Sequence, residues 1–208
     1  MKINFLGDSI TEGAAASSIE KTYVYLVGKM LNAEVRNYGI SGSRLARQYI
    51  PSLEPRFDLD FCMRAKEMND DADYVFVFGG TNDYGHGDAP IGKLGDKTKD
   101  TFYGAIDELV NILLKKYKKE QIIFIPPLYR ISEDNRFGEG NKKEAGPTLQ
   151  EYRSYMMEVL NKYEIEVLDI KDKMGKPEEN DLYQDGLHPN DKGHQKLAEL
   201  IANYIKNR

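Results

Sequence analysis

"YVFVFGGTND", Tyr74 to Asp83, sets five apolar or aromatic residues in a row and ends them on two glycines and a knot of small polar side chains. A run this short cannot span a bilayer. It is apolar at odd and even positions alike, so a strand built from it has no face to turn to water. Such strands occupy the centre of a parallel sheet covered by helices on both sides. The rest of the chain supplies the partners. Short β-rich runs recur at Lys2 to Gly7 (KINFLG), Ala33 to Gly39 (AEVRNYG), Gln121 to Pro127 (QIIFIPP) and Ile165 to Ile170 (IEVLDI). Between them lie stretches with helical spacing: Lys21 to Leu31, Leu59 to Met68, Thr101 to Tyr117, Leu149 to Tyr163, and Asp191 to Ile205. Five alternations of strand and helix predict an α/β fold, a three-layer α/β/α sandwich with right-handed crossovers, formed as one domain over residues 1–208.

Composition narrows the function classes. The chain has 208 residues, 40% hydrophobic and 30% charged, with a formal net charge of −5. These are the proportions of a globular protein with a real core. An acidic balance argues against nucleic acid or an anionic membrane as partner, because such affinity comes from clustered Lys and Arg. The one basic cluster, "KKYKK" from Lys115 to Lys119, suits the C-terminal turn of a helix, where cations meet the dipole. A single cysteine, Cys62, excludes an internal disulfide and a thiolate metal cluster, and its helical neighbourhood makes it a buried apolar residue. No apolar leader precedes the first strand, and the expected location is cytoplasmic.

Polar groups gather where strands end. The first strand runs into Asp8 and Ser9 within "FLGDSITEG", the second into "NYGISGS" with Gly39, the third into "GGTND" with Asn82. Before the last helix comes "DGLHPN", with Asp185 and His188. A serine hydroxyl is a weak nucleophile until a base within hydrogen-bond reach takes its proton, and histidine is the usual base near neutral pH. Of three histidines, His86 lies in a glycine-rich loop and His194 within the last helix, which leaves His188. Asp185, three residues earlier, can reach back to its Nδ1–H if the segment turns, and Pro189 suits the first turn of the final helix. Acyl transfer also needs donors for the developing oxyanion. The N–H of Ser9, the N–H of Gly39 and the side-chain amide of Asn82 are the candidates. Taken singly, each residue has a plainer reading: Ser9 a helix cap, Gly39 a turn glycine, Asn82 an Asx-turn, Asp185 and His188 a capped entry to a helix.

Taken together, the four blocks "GDSIT", "NYGISG", "GGTND" and "DGLHPN" resemble, in order and across nearly the whole chain, those of the SGNH hydrolases, the GDSL-type esterases and lipases. The resemblance implies a flavodoxin-like five-stranded parallel sheet of order 2-1-3-4-5, with no metal or cofactor. It also implies Ser9 as nucleophile and oxyanion donor, Gly39 and Asn82 as further donors, His188 as base and Asp185 as its orienting partner. "GDSI" has Ile where the family motif has Leu, a volume-conserving change. No G-x-S-x-G occurs, so the α/β-hydrolase nucleophile elbow is a different solution.

The expected function is therefore a serine esterase or acylhydrolase that cleaves a short-chain acyl ester, acetyl on a carbohydrate among them, through an acyl-enzyme on Ser9. A thioesterase or acyltransferase would use the same residues, and a silent ligand-binding module would keep the fold without the chemistry. A two-metal phosphoesterase lacks histidine ligands. Two long loops, Tyr84 to Asp100 and Leu128 to Thr148, follow the third and fourth strands and are expected to wall the site. Their polar and aromatic side chains make Tyr84, His86, Tyr129 and Arg130, together with Asp8, the expected contacts for a small-molecule ester substrate. Oligomeric state leaves no trace in the sequence.

Overall fold

The computed structural model describes residues 1–140 and 142–208. Its strands are β1 (Lys2–Gly7), β2 (Glu34–Gly39), β3 (Tyr74–Phe78), β4 (Ile122–Ile125) and β5 (Glu166–Val167). All pair in parallel, in the order β2-β1-β3-β4-β5, the expected order. The helices are α1 (Ser9–Glu12), α2 (Tyr23–Leu31), α3 (Phe61–Glu67), α4 (Thr81–Gly85), α5 (Phe102–Lys116), α6 (Leu149–Tyr163), α7 (Lys171–Met174) and α8 (Asp191–Lys206).

The alternation of side chains along a strand decides which layer each residue joins. In β3, Val75 and Val77 point to one face, where they meet Phe61, Ile106, Leu109 and Met156 of α3, α5 and α6. Phe76 and Phe78 point to the other and meet Tyr23, Val27, Leu197 and Ile201 of α2 and α8. The side chains of both cores are buried, so the doubly apolar run in the sequence is accounted for by helices on each side.

Three local differences from the sequence expectations have physical reasons. β5 keeps only two residues, Glu166 and Val167, paired with Ile123 and Phe124 of β4. After Leu168, whose N–H reaches the Phe124 carbonyl at 2.8 Å, Asp169 turns away to pair with Arg153 at 2.7 Å. The glycine-rich stretch after β3 is not loop from the start: Thr81–Gly85 coils into α4, so Asn82 sits in a first helical turn. Pro189 does not enter the last helix. It bridges to Tyr183, and Asn190 is the cap, accepting from the N–H groups of Lys192 and Gly193.

Candidate active site

Because all strands run the same way, their C-terminal ends open on one edge of the sheet, and every block noted in the sequence is delivered there. β1 ends at Gly7. Asp8 caps α1, its carboxylate accepting from the Ile10 N–H at 3.0 Å, and Ser9 takes the first helical position. Capping leaves Ser9 with an N–H that no acceptor meets among the described residues.

The partner for its hydroxyl arrives from 179 residues away, with Ser9 Oγ 2.9 Å from His188 Nε2. The other ring nitrogen, Nδ1, is 2.7 Å from Asp185 Oδ2. A carboxylate can only accept, so Nδ1 carries the hydrogen and Nε2 is left as the acceptor for the serine. Asp185 is itself held: Oδ1 accepts from the N–H groups of Leu187 at 3.0 Å and His188 at 2.8 Å. Burial works to raise its pKa, but the His188 ring and these two N–H groups hold it below the usual carboxylate value.

Asn82 donates from Nδ2 to the Ser43 carbonyl at 2.9 Å, which leaves its second amide hydrogen for another acceptor. Gly39 is arranged differently from the expectation. Its N–H is taken by Asn37 Oδ1 at 2.8 Å. A side chain there would lie 2.2 Å from the Glu12 nitrogen, so glycine is required by the packing of α1 over the end of β2, not by the approach of a substrate. The donor available in this segment is Gly42, three residues on. It lies at φ +71° in the turn after β2, and its N–H meets no acceptor among the described residues. It adjoins Ser43, the residue whose carbonyl holds Asn82. The signal was present in the sequence as the second glycine of "NYGISG", but only the hydrogen bonds distinguish the two.

The expected substrate contacts divide. Tyr84 is 1% exposed, and its hydroxyl donates to the carbonyls of Ser132 and Asn135. Arg130 is 7% exposed, pairs with Glu139 at 2.7 Å and reaches Thr81. Both are struts that tie the second long loop to α4, and neither is free to meet a substrate. Asp8 is buried as the cap of α1, and burial pushes its carboxyl up to about 6. His86 and Tyr129 remain partly exposed. His86 Nδ1 lies 3.0 Å from Arg44 Nη1, and since a guanidinium can only donate, its free hydrogen is on Nε2. Tyr129 donates to Asp172 at 2.7 Å, under the ammonium groups of Lys171 and Lys176. His194 is fully buried, and Cys62 lies in the core with its thiol pushed up by burial. No helix among the described residues is long and apolar enough to cross a membrane.

Comparison with known proteins agrees with this fold. The model of the GDSL-like lipase/acylhydrolase family matches residues 5–196. The chain is similar to a protein of solved structure from Lactobacillus plantarum, at 26% identity and a TM-score of 0.81, covering 100% of this chain and 97% of that one. A lipase/acylhydrolase from Enterococcus faecalis shares the fold at 24% identity and a TM-score of 0.70, with 100% and 96% covered. A member of the lipolytic G-D-S-L family from Veillonella parvula does so at 18% identity and a TM-score of 0.65, with both chains fully covered. A comparison with curated proteins finds no match. Four sequence blocks on one sheet edge, in a family match that spans most of the chain, leave one assignment: the chain belongs to the GDSL-like lipase/acylhydrolase family and is a hydrolase acting on ester bonds.

Proposed function

We propose that the protein cleaves short-chain acyl esters of small molecules, acetylated carbohydrate among them, through an acyl-enzyme on Ser9. The observation that carries the reading is the unbroken relay from Ser9 Oγ to His188 Nε2 at 2.9 Å and from His188 Nδ1 to Asp185 at 2.7 Å. In it His188 takes the hydroxyl proton as Ser9 Oγ attacks the ester carbonyl, and Asp185 stabilises the imidazolium. The carbonyl oxygen becomes an oxyanion, received by the N–H groups of Ser9 and Gly42 and the free Asn82 amide hydrogen. When the tetrahedral intermediate collapses, the C–O bond to the leaving alcohol breaks and His188 returns the proton to that oxygen. Water then repeats the sequence: His188 removes its proton, the hydroxide attacks the acyl carbon, and Ser9 leaves with the proton restored.

The short-chain reading is supported by the two loops after β3 and β4, whose side chains are a mixture of polar and aromatic groups rather than a long apolar stretch. Initial rates across a chromogenic ester series from acetyl to octanoyl, with acetylated xylose alongside, test both parts. Ser9→Ala is expected to lower turnover by roughly 10³-fold or more without loss of fold, and wild-type rates to fall with chain length. Ser9-independent hydrolysis would remove the acyl-enzyme; faster cleavage of octanoyl than acetyl esters would remove the short-chain preference. Turnover confined to acyl thioesters, or seen only with an acceptor alcohol, would redirect the same residues to thioesterase or transferase chemistry.

A further inference from the structure

Arg64 on α3 is 8% exposed, and none of its hydrogen bonds among the described residues goes to a carboxylate. A buried cation is costly unless its donors are met, and a long apolar side chain would fill the same volume without that cost. Its donors are met by neutral groups at the edge of the sheet. Nε donates to the Leu59 carbonyl at 3.0 Å, and Nη1 to the Gly7 carbonyl at 2.8 Å and to the Tyr38 carbonyl. Nη2 donates to Ser43 Oγ at 2.8 Å, and that hydroxyl in turn donates to the Ile40 carbonyl at 2.6 Å. The guanidinium also stacks 4.5 Å over the Phe61 ring, and a side chain on Gly79 would strike that same ring at 2.4 Å.

The Arg64 hydrogen bonds fall on two of the three segments that carry the proposed oxyanion donors, and the Phe61 ring beneath the guanidinium lies against the third. Gly7 is the last residue of β1, two before Ser9. Tyr38 and Ser43 bracket the turn that holds Gly42. Gly79 follows β3, three residues before Asn82. We propose that Arg64 is a positioning residue: its fork fixes the spacing between the Ser9 turn and the Gly42 turn, so that their N–H groups meet one oxygen. Only a planar guanidinium can span these carbonyls and the Ser43 hydroxyl at once; an ammonium donates from a single point. The inference rests on the reading of Ser9 and its donors given above, and a loss of alignment by about 1 Å costs on the order of 10²-fold in rate.

Arg64→Lys keeps the charge and loses the fork. Arg64→Met keeps the volume and loses both. Steady-state kinetics on an acetyl ester, at a temperature where circular dichroism shows each variant folded, should give a kcat at least 10-fold below wild type for both, with KM within about 3-fold. A residue that only stabilises the fold would lower the melting temperature and leave kcat in place. If neither variant folds, Ser43→Ala decides: it leaves Arg64 present, cuts the link to the Gly42 turn, and should lower kcat by 3-fold or more. A folded Arg64→Lys with kcat within 2-fold of wild type overturns the inference, as does an unaltered Ser43→Ala when the Arg64 variants fail to fold. Wild-type turnover that survives Ser9→Ala overturns the acyl-enzyme reading, and the positioning role with it.

Discussion

His188 and His194 stand six residues apart on either side of the cap of α8, and their surroundings give them opposite properties. His188 has a carboxylate on one nitrogen and a hydroxyl on the other, with 23% of its side chain exposed. His194 is fully buried. It accepts from the Tyr23 N–H at Nδ1, 3.2 Å away, donates from Nε2 to the Ala14 carbonyl at 3.1 Å, and stacks on the Tyr23 ring. In the proposed mechanism the first takes the serine proton and returns it. The second is held in one neutral tautomer by the backbone, and burial lowers its pKa. What makes a histidine a base is thus an acidic neighbour and access to a hydroxyl, neither of which lies in the residue itself.

The contrast can be broken most directly at His188. His188→Gln should cut kcat by roughly 10³-fold or more while the melting temperature stays within a few degrees, measured by ester hydrolysis and thermal denaturation. His194→Ala should do the reverse, because it leaves a cavity beside Tyr23 and two unmet backbone groups. A loss of about 3–4 kcal/mol, or on the order of 10 °C, is expected with kcat unchanged at low temperature. Comparable losses of kcat in both variants would end the distinction.

The same opposition holds between the two carboxylates of the site and has a pH signature. Asp185 is half exposed and its pKa is lowered, whereas Asp8 is 1% exposed and pushed up to about 6. For Asp8 the folded state therefore binds a proton more tightly than the unfolded chain. Its contribution to stability is greatest below the ordinary aspartate value and is lost as pH rises through about 6. Asp8→Asn, which keeps the cap oxygen, should raise stability by up to about 3 kcal/mol at pH 7–8, and the gain should vanish below about pH 4. Melting temperatures across pH 4 to 8 check the sign. His194 works in the other direction: it is kept neutral in the fold, and the stability this provides is lost as pH falls below about 6.5, where the unfolded imidazole takes up its proton first. The smallest effect belongs to Tyr129→Phe. Loss of the exposed bond to Asp172 should change stability by under about 0.5 kcal/mol, and kcat/KM should stay within about 2-fold; a larger fall would give the hydroxyl a part in substrate binding.

How much of this was legible varies from residue to residue. The strands and the long helices were, because each is encoded by a local pattern: a continuous apolar run in the central strands, helical spacing in the helices. Leu149–Tyr163 shows it: the apolar spacing sets its length, and Thr148 with Glu151 closes the capping box that starts it. The pairing of Asp185 with His188 was legible too, since it spans three residues. β5 is shorter than its local β-propensity suggests because the chain leaves the sheet where Asp169 turns to Arg153, a contact that propensity does not register. Tyr84 and Arg130 looked like substrate contacts because polar loop residues resemble ligands until their own partners are known.

The sequence by itself determined the order of strands and helices, the two-sided burial of the central strand and the identity of the polar blocks, all of which are local patterns. Tertiary structure alone decided which of two glycines three residues apart has a free N–H, which polar loop residues are struts, and that Arg64 would tie the ends of β1 and β2 together. The glycine is decided by a bond that spans only two residues, the struts and Arg64 by partners up to 57 residues away, and a hydrogen bond is settled only when the fold brings its donor and acceptor within about 3 Å.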